Sequence, residues 1–299
     1  MYLLAAFLFA LNGVMAKPVI ELGLSAIRLT EIRNAGSLIV LAVWLLLTRR
    51  TAFRLKKQEL PFLLVYGVLA FTVVQSLYFV TISFLPVGIG TLLIFLAPVL
   101  VAVWLKFFKH KPVSNRIWLA LVLVIAGLAL IAQVWQGLTL NAAGVASALI
   151  CAVALAAFWL LGASGQEKRD AVSLTMWGFF FATLTWSVIA PWWSFPWGLM
   201  GESLPPLVDG APGLPVWVLI VWNVLLGTIA PFLLVLGSLR RLGAERAGIV
   251  GTSEPLWAAL LGALLLGELL TGVQIVGFFV VLAGIGVAEF ARRTRGAPA

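Results

Sequence analysis

Ten apolar stretches, separated by short connections whose positive charge falls on alternate sides, constrain this chain more than any other feature. A helix crosses a hydrocarbon core of roughly 30 Å with about 20 apolar residues. Stretches of that kind occupy residues 1–16, 29–48, 60–82, 87–105, 115–133, 141–161, 173–195, 215–238, 247–267 and 271–291. Hydrophobic residues make up 63% of the chain and charged residues 10%, with a mean hydropathy of +1.12. Such a composition cannot supply the polar surface of a water-soluble globule. The expected fold class is an all-α integral membrane protein with ten transmembrane helices. Residues 1–16 are short for a crossing, and Val14-Met15-Ala16 resembles a signal-peptidase site. No basic segment precedes them, as a signal peptide requires, so they count as the first span.

The net charge of +9 is a topology signal rather than a mark of nucleic-acid binding. Arg49, Arg50, Arg54, Lys56 and Lys57 follow the second span, and Lys106, Lys109, Lys111 and Arg116 the fourth. Lys168 and Arg169 follow the sixth, Arg240, Arg241 and Arg246 the eighth, and Arg292, Arg293 and Arg295 the tenth. Only Lys17, Arg28 and Arg33 fall on the other side, and Lys17 and Arg33 look peripheral there. Short loops rich in Lys and Arg stay cytoplasmic. Both termini are therefore expected inside a bacterial-type inner membrane, with 292–299 as a basic cytoplasmic tail that meets anionic lipid. Cys151 is the single cysteine, so neither a disulfide nor a thiolate metal site is expected.

Ten spans with both ends on one side invite a search for internal symmetry. A shift of 157 residues places Leu85 on Leu242, Pro98 on Pro255, Ala102 on Ala259 and Val124 on Val281. It also places Ala126-Gly127 on Ala283-Gly284 without a gap. The expected organisation is one five-helix repeat over 1–133 and a second over 141–291. Five is odd, so the two repeats have opposite orientation, an arrangement that puts a transporter's substrate site between them near the midplane.

Leu11-Asn12-Gly13 through Lys17, followed by Arg33, resembles the opening of a drug/metabolite transporter domain of the EamA type. Glu254-Pro255 to Gly267-Glu268, with Gln274, Gly277 and Ala283-Gly284, is similar to the end of that domain's second copy; Ala97-Pro98, Pro112 and Ala126-Gly127 mark the end of the first. Lys111 stands where Gly-Glu usually closes the helix, and Phe9 where the opening often has Trp. The resemblance covers essentially the whole chain. Length, span number and the very short amino terminus look most like the amino acid exporters of this superfamily, including the aromatic amino acid exporter. It implies a ten-helix fold and efflux of small metabolites.

Polar groups inside a bilayer are costly, which makes each a candidate functional residue. Glu254 is the one acid placed well inside a span, and serves either as a proton or substrate-ammonium site or as a structural carboxyl. Asn12, Gln75, Tyr78 and Asn223 are the other mid-span polar groups. They either line a cavity or make interhelical hydrogen bonds worth about 0.6–2 kcal/mol. Trp257 lies three residues beyond Glu254 on its face, and Trp159 lies inside the sixth span; both are candidate apolar walls. Pro98 and Pro255, which coincide under the shift, and the unmatched Pro231 are candidate gates or hinges, since proline removes a helix hydrogen bond.

No enzyme motif accompanies these residues. His110 is the only histidine and sits in a basic connection, Glu254 has no second intramembrane carboxylate, and no phosphate loop or nucleophile elbow occurs. The expected function is a carrier, not an enzyme, without cofactor or metal. It would export amino acids or similar small metabolites by alternating access. Drug-like organic cations and nucleotide sugars are the alternatives. The sequence is silent on oligomeric state.

Overall fold

The computed structural model describes residues 1–108, 116–133, 140–166, 169–204, 213–235, 251 and 253–293. Among these residues the chain is almost wholly helical, and five helices are long and apolar enough to cross a membrane.

The first span is the helix Tyr2–Glu21, which ends five residues beyond the apolar run. It continues past Lys17 because that ammonium pairs with Glu268 and donates to the Leu85 carbonyl at 3.2 Å. Gly23, at φ +114°, makes the left-handed turn that most side chains resist. Ser25 then caps the second span, Ala26–Thr48, accepting from the Arg28 N–H at 3.3 Å. The third span runs as Leu60–Gly67, a wide π turn over Val68–Val73, and Val74–Phe84. The fourth is broken into Val87–Ile94 and Ala97–Phe107, and the fifth is Arg116–Ala132.

The second half repeats these features. The sixth span is Ala142–Gln166, and the seventh is Ala171–Ile189, capped by the Asp170 carboxylate on the Ser173 N–H at 3.1 Å. A short excursion follows, in which Ser203–Leu204 pairs antiparallel with Leu214–Pro215. Trp193 is 87% exposed there, as an interfacial anchor should be. The eighth span comprises Val216–Val224, a π turn over Leu225–Ile229, and helical residues 230–235. The ninth is Glu254–Leu266, ended by Gly267 at φ +67°, and the tenth is Gly272–Arg293.

Packing has the symmetry of two interleaved halves. The fifth span lies along the tenth, the second on the seventh and the fourth on the ninth. The third packs on the sixth as the eighth does on the first, and the first on the ninth as the sixth does on the fourth. Exchanging the halves maps this set of pairs onto itself. Small residues permit the closest approaches: a Cβ on Gly127 would lie 2.8 Å from the Gly277 carbonyl oxygen, and one on Gly88 2.5 Å from the Ala259 Cα.

The two ends of the bundle are clasped differently. At one end Glu268 binds Lys17 and also accepts the Val87 N–H at 2.7 Å. Arg28 reaches the Ala190 carbonyl and Glu31, both at 2.7 Å. At the other end Arg169 donates to the carbonyls of Ala52 (3.0 Å) and Arg54 (2.8 Å) and to Glu59 at 2.8 Å. Its guanidinium holds the Glu59 carboxyl below the usual carboxylate range.

Candidate functional site

Arg33 and Asn34, adjacent on the second span, are both buried and reach two different helices. Asn34 Nδ2 donates to the Phe71 carbonyl at 2.9 Å, inside the π turn of the third span. Arg33 Nε donates to Thr228 Oγ1 at 2.5 Å and Nη2 to the Gly227 carbonyl at 3.2 Å, inside the π turn of the eighth. Thr228 Oγ1 in turn donates a hydrogen bond to the Asn223 carbonyl at 2.9 Å. The Gly227 acceptor is open for a local reason: Pro231, four residues on, has no N–H with which to close the helical bond.

Around this junction stand several of the residues expected from sequence. Asn12 is 2% exposed and its amide oxygen presses on Gly227, where a Cβ would collide with it. The Tyr78 hydroxyl presses in the same way on Gly13. Tyr78 lies within electrostatic reach of both Arg33 and Glu254. Asn223 is 2% exposed, one turn before Gly227. The buried Tyr78 hydroxyl faces Thr91, while the side-chain oxygens of Asn12 and Asn223 are buried and have no hydrogen-bond partner among the described residues. Each such orphan costs about 1–3 kcal/mol, which a fold tolerates where the groups serve another end. Gln75, 7% exposed, is similarly orphaned one turn from Tyr78, but no contact ties it to Arg33.

Glu254 follows helical Gly251 and a turn at Ser253 and opens the helix Glu254–Leu266, in the first turn, where backbone N–H groups favour a carboxylate. Two local expectations are corrected. Pro98 and Pro255 do not kink continuous helices. Each sits in the first turn of a new one, Ala97–Phe107 and Glu254–Leu266, where a missing N–H costs nothing. Arg33 is not peripheral: it is 4% exposed and its Cζ lies 5.2 Å from the centre of the Phe79 ring. A charge near a span's edge looks like one that snorkels to the surface. Its acceptors here, 194 and 195 residues away, leave no trace in local sequence. Trp257 packs edge-on against Phe7 at 5.4 Å, joining the ninth span to the first. The Trp159 side chain and residues 236–250 lie outside the described residues.

A buried junction of five spans, with two π turns and an opened helix start around it, is transporter geometry, and the comparisons agree. Residues 1–133 and 142–289 each match the EamA-like transporter family. The chain belongs to the EamA-like transporter family. As such it is a multi-pass membrane transporter of small molecules, and the family's members are carriers rather than enzymes. It is 25% identical over 302 residues to the "Uncharacterized transporter YwfM" of Bacillus subtilis (strain 168), across 97% of this chain and 93% of that one. It is 27% identical over 231 residues to an "Uncharacterized transporter" of Archaeoglobus fulgidus, across 76% and 75% of the two chains. A crystal structure at 16% identity superposes with a TM-score of 0.63, over 99% of this chain and 97% of the other. That likeness shows a shared fold. In this EamA-like transporter each of the two matched segments holds one π turn, so the Arg33-Asn34 pair spans both copies of the family domain.

Proposed function

We propose that this transporter exports amino acids, aromatic or otherwise apolar, or closely related metabolites across a bacterial-type inner membrane by alternating access. Convergence carries the reading: Asn12 and Asn223 bring orphaned polar oxygens, and Tyr78 a buried hydroxyl, to a junction where Tyr78 lies within electrostatic reach of both Arg33 and Glu254. Donors and acceptors of both signs suit a zwitterion. Glu254 takes the ammonium or a coupling proton, while Asn12, Gln75, Tyr78 and Asn223 supply the polar lining. Trp257 and Trp159 supply apolar walls, with a cation–π contribution where an ammonium meets a ring. The helix starts at Pro98 and Pro255, and the open carbonyl before Pro231, are where backbone adjusts as the halves rock. A single central guanidinium weighs against organic cations as substrates, because like charges repel.

Counterflow in proteoliposomes tests this reading. Vesicles preloaded with unlabelled amino acid are offered labelled phenylalanine, tryptophan, methionine or threonine. Accumulation of at least one label above protein-free vesicles is expected, with apolar side chains preferred. Glu254→Gln is expected to lower the initial rate more than tenfold and to flatten its pH dependence. A fully active Glu254→Gln across pH removes the charge assignment, and an unchanged Trp257→Leu removes the aromatic wall.

A further inference from the structure

We infer that Arg33 is the anion pole of the central site and that it selects substrates carrying a carboxylate. The inference rests on the small-metabolite reading above and deepens it. A guanidinium has five N–H donors in a planar fork that matches a carboxylate with two parallel bonds. Arg33 commits one donor to Thr228 Oγ1 and one to the Gly227 carbonyl, both neutral acceptors. Among the described residues no carboxylate lies within 4.0 Å of it, whereas Lys17, Arg28, Arg49 and Arg169 each have one. A buried charge without a counter-ion costs several kcal/mol, and an anionic ligand group would offset that cost. The anchors are themselves well placed to hold the fork still. Nε and Nη2 are fixed by the eighth span, and the Phe79 ring lies beneath, so a ligand would meet a preorganised cation. Tyr78 lies within electrostatic reach of both this pole and Glu254. A zwitterion satisfies both poles, an amine only the acidic one, and an anion only Arg33.

Competition in the counterflow assay reads the two poles separately. Unlabelled phenylalanine, phenethylamine and 3-phenylpropionate share one ring and differ only in charge. With labelled phenylalanine on wild type, phenethylamine is expected to need at least tenfold more compound than phenylalanine for half-inhibition, and 3-phenylpropionate less than phenethylamine. Arg33→Lys should keep that order with a weaker preference, and Arg33→Gln should abolish it. Equal inhibition by phenethylamine and phenylalanine, or an Arg33→Gln protein that keeps the preference, overturns the inference and leaves the amino acid reading standing. No uptake of any amino acid, with labelled 3-phenylpropionate bound by detergent-purified wild type and lost in Arg33→Gln, overturns the amino acid reading alone. Neither uptake nor binding overturns both. If Arg33→Gln fails to give monodisperse protein, the order of the three competitors on wild type still decides. Thr228→Val, which frees Nε but keeps the charge, should then weaken phenylalanine while leaving phenethylamine within twofold.

Discussion

At the scale of single residues, two glycines shape the junction more than any side chain does. Gly13 and Gly227 admit the Tyr78 hydroxyl and the Asn12 amide to positions that a Cβ would occupy. Gly13→Ala and Gly227→Ala should each cut counterflow at least tenfold, because the displaced group is a site group. Gly286→Ala is the control: among the described residues nothing lies within 4 Å of where its Cβ would sit, so the gain in helix propensity, about 1 kcal/mol, should leave transport unchanged and raise the apparent melting temperature. Equal activity in all three variants would disconnect Asn12 and Tyr78 from transport. The burial of Asn12, Gln75 and Asn223 was legible in the sequence because a polar residue inside an apolar run has nowhere wet to go. Arg33 was not. Its charge closes a list of loop cations, and the acceptors that hold it belong to a helix in the other half of the chain.

At the scale of elements, the internal shift of 157 residues is more visible in backbone than in identities. The π turn at Val68–Val73 maps onto 225–230, and the observed second turn is Leu225–Ile229. The break before Ala97 maps onto the turn before Glu254. Composition hides both pairs, since a wide turn needs no special residue. Only Pro98 and Pro255 betray a break, and their position in a first turn is set by tertiary context. Pro255 and Pro231 should therefore behave differently. Pro255→Ala restores an N–H that the first turn leaves unused, and stability should change by less than about 1 kcal/mol. Pro231→Ala restores an N–H facing the Gly227 carbonyl, which then has an intrahelical donor competing with Arg33. Counterflow should fall severalfold in Pro231→Ala while the apparent melting temperature holds or rises. A Pro231→Ala protein with wild-type kinetics would mean that the open carbonyl has no part in holding Arg33.

At the scale of the whole molecule, the halves do not sit side by side: the main partner of nearly every span belongs to the other half. Motion between them must therefore break contacts at one end of the bundle while keeping them at the other. The clasp of Glu268 on Lys17 and the Val87 N–H joins the first and fourth spans to the loop between the ninth and tenth. The Arg169 clasp joins the opposite end through Glu59, Ala52 and Arg54. Depression of the Glu59 carboxyl by Arg169 gives that second clasp a direction with pH. Its contribution is present above the unfolded carboxyl's value and fades as the pH falls through the folded one. If alternating access operates, the Lys17–Glu268 end must open once in each cycle. Lys17→Cys with Glu268→Cys, made in a Cys151→Ala background, tests that requirement, since Cys151 is buried and the only native thiol. Oxidation should reduce counterflow more than tenfold and a reductant should restore it, whereas either single cysteine should be indifferent to both. Full transport by the cross-linked protein would place the moving parts elsewhere and leave this end as a fixed hinge, with opening confined to the end that Arg169 holds.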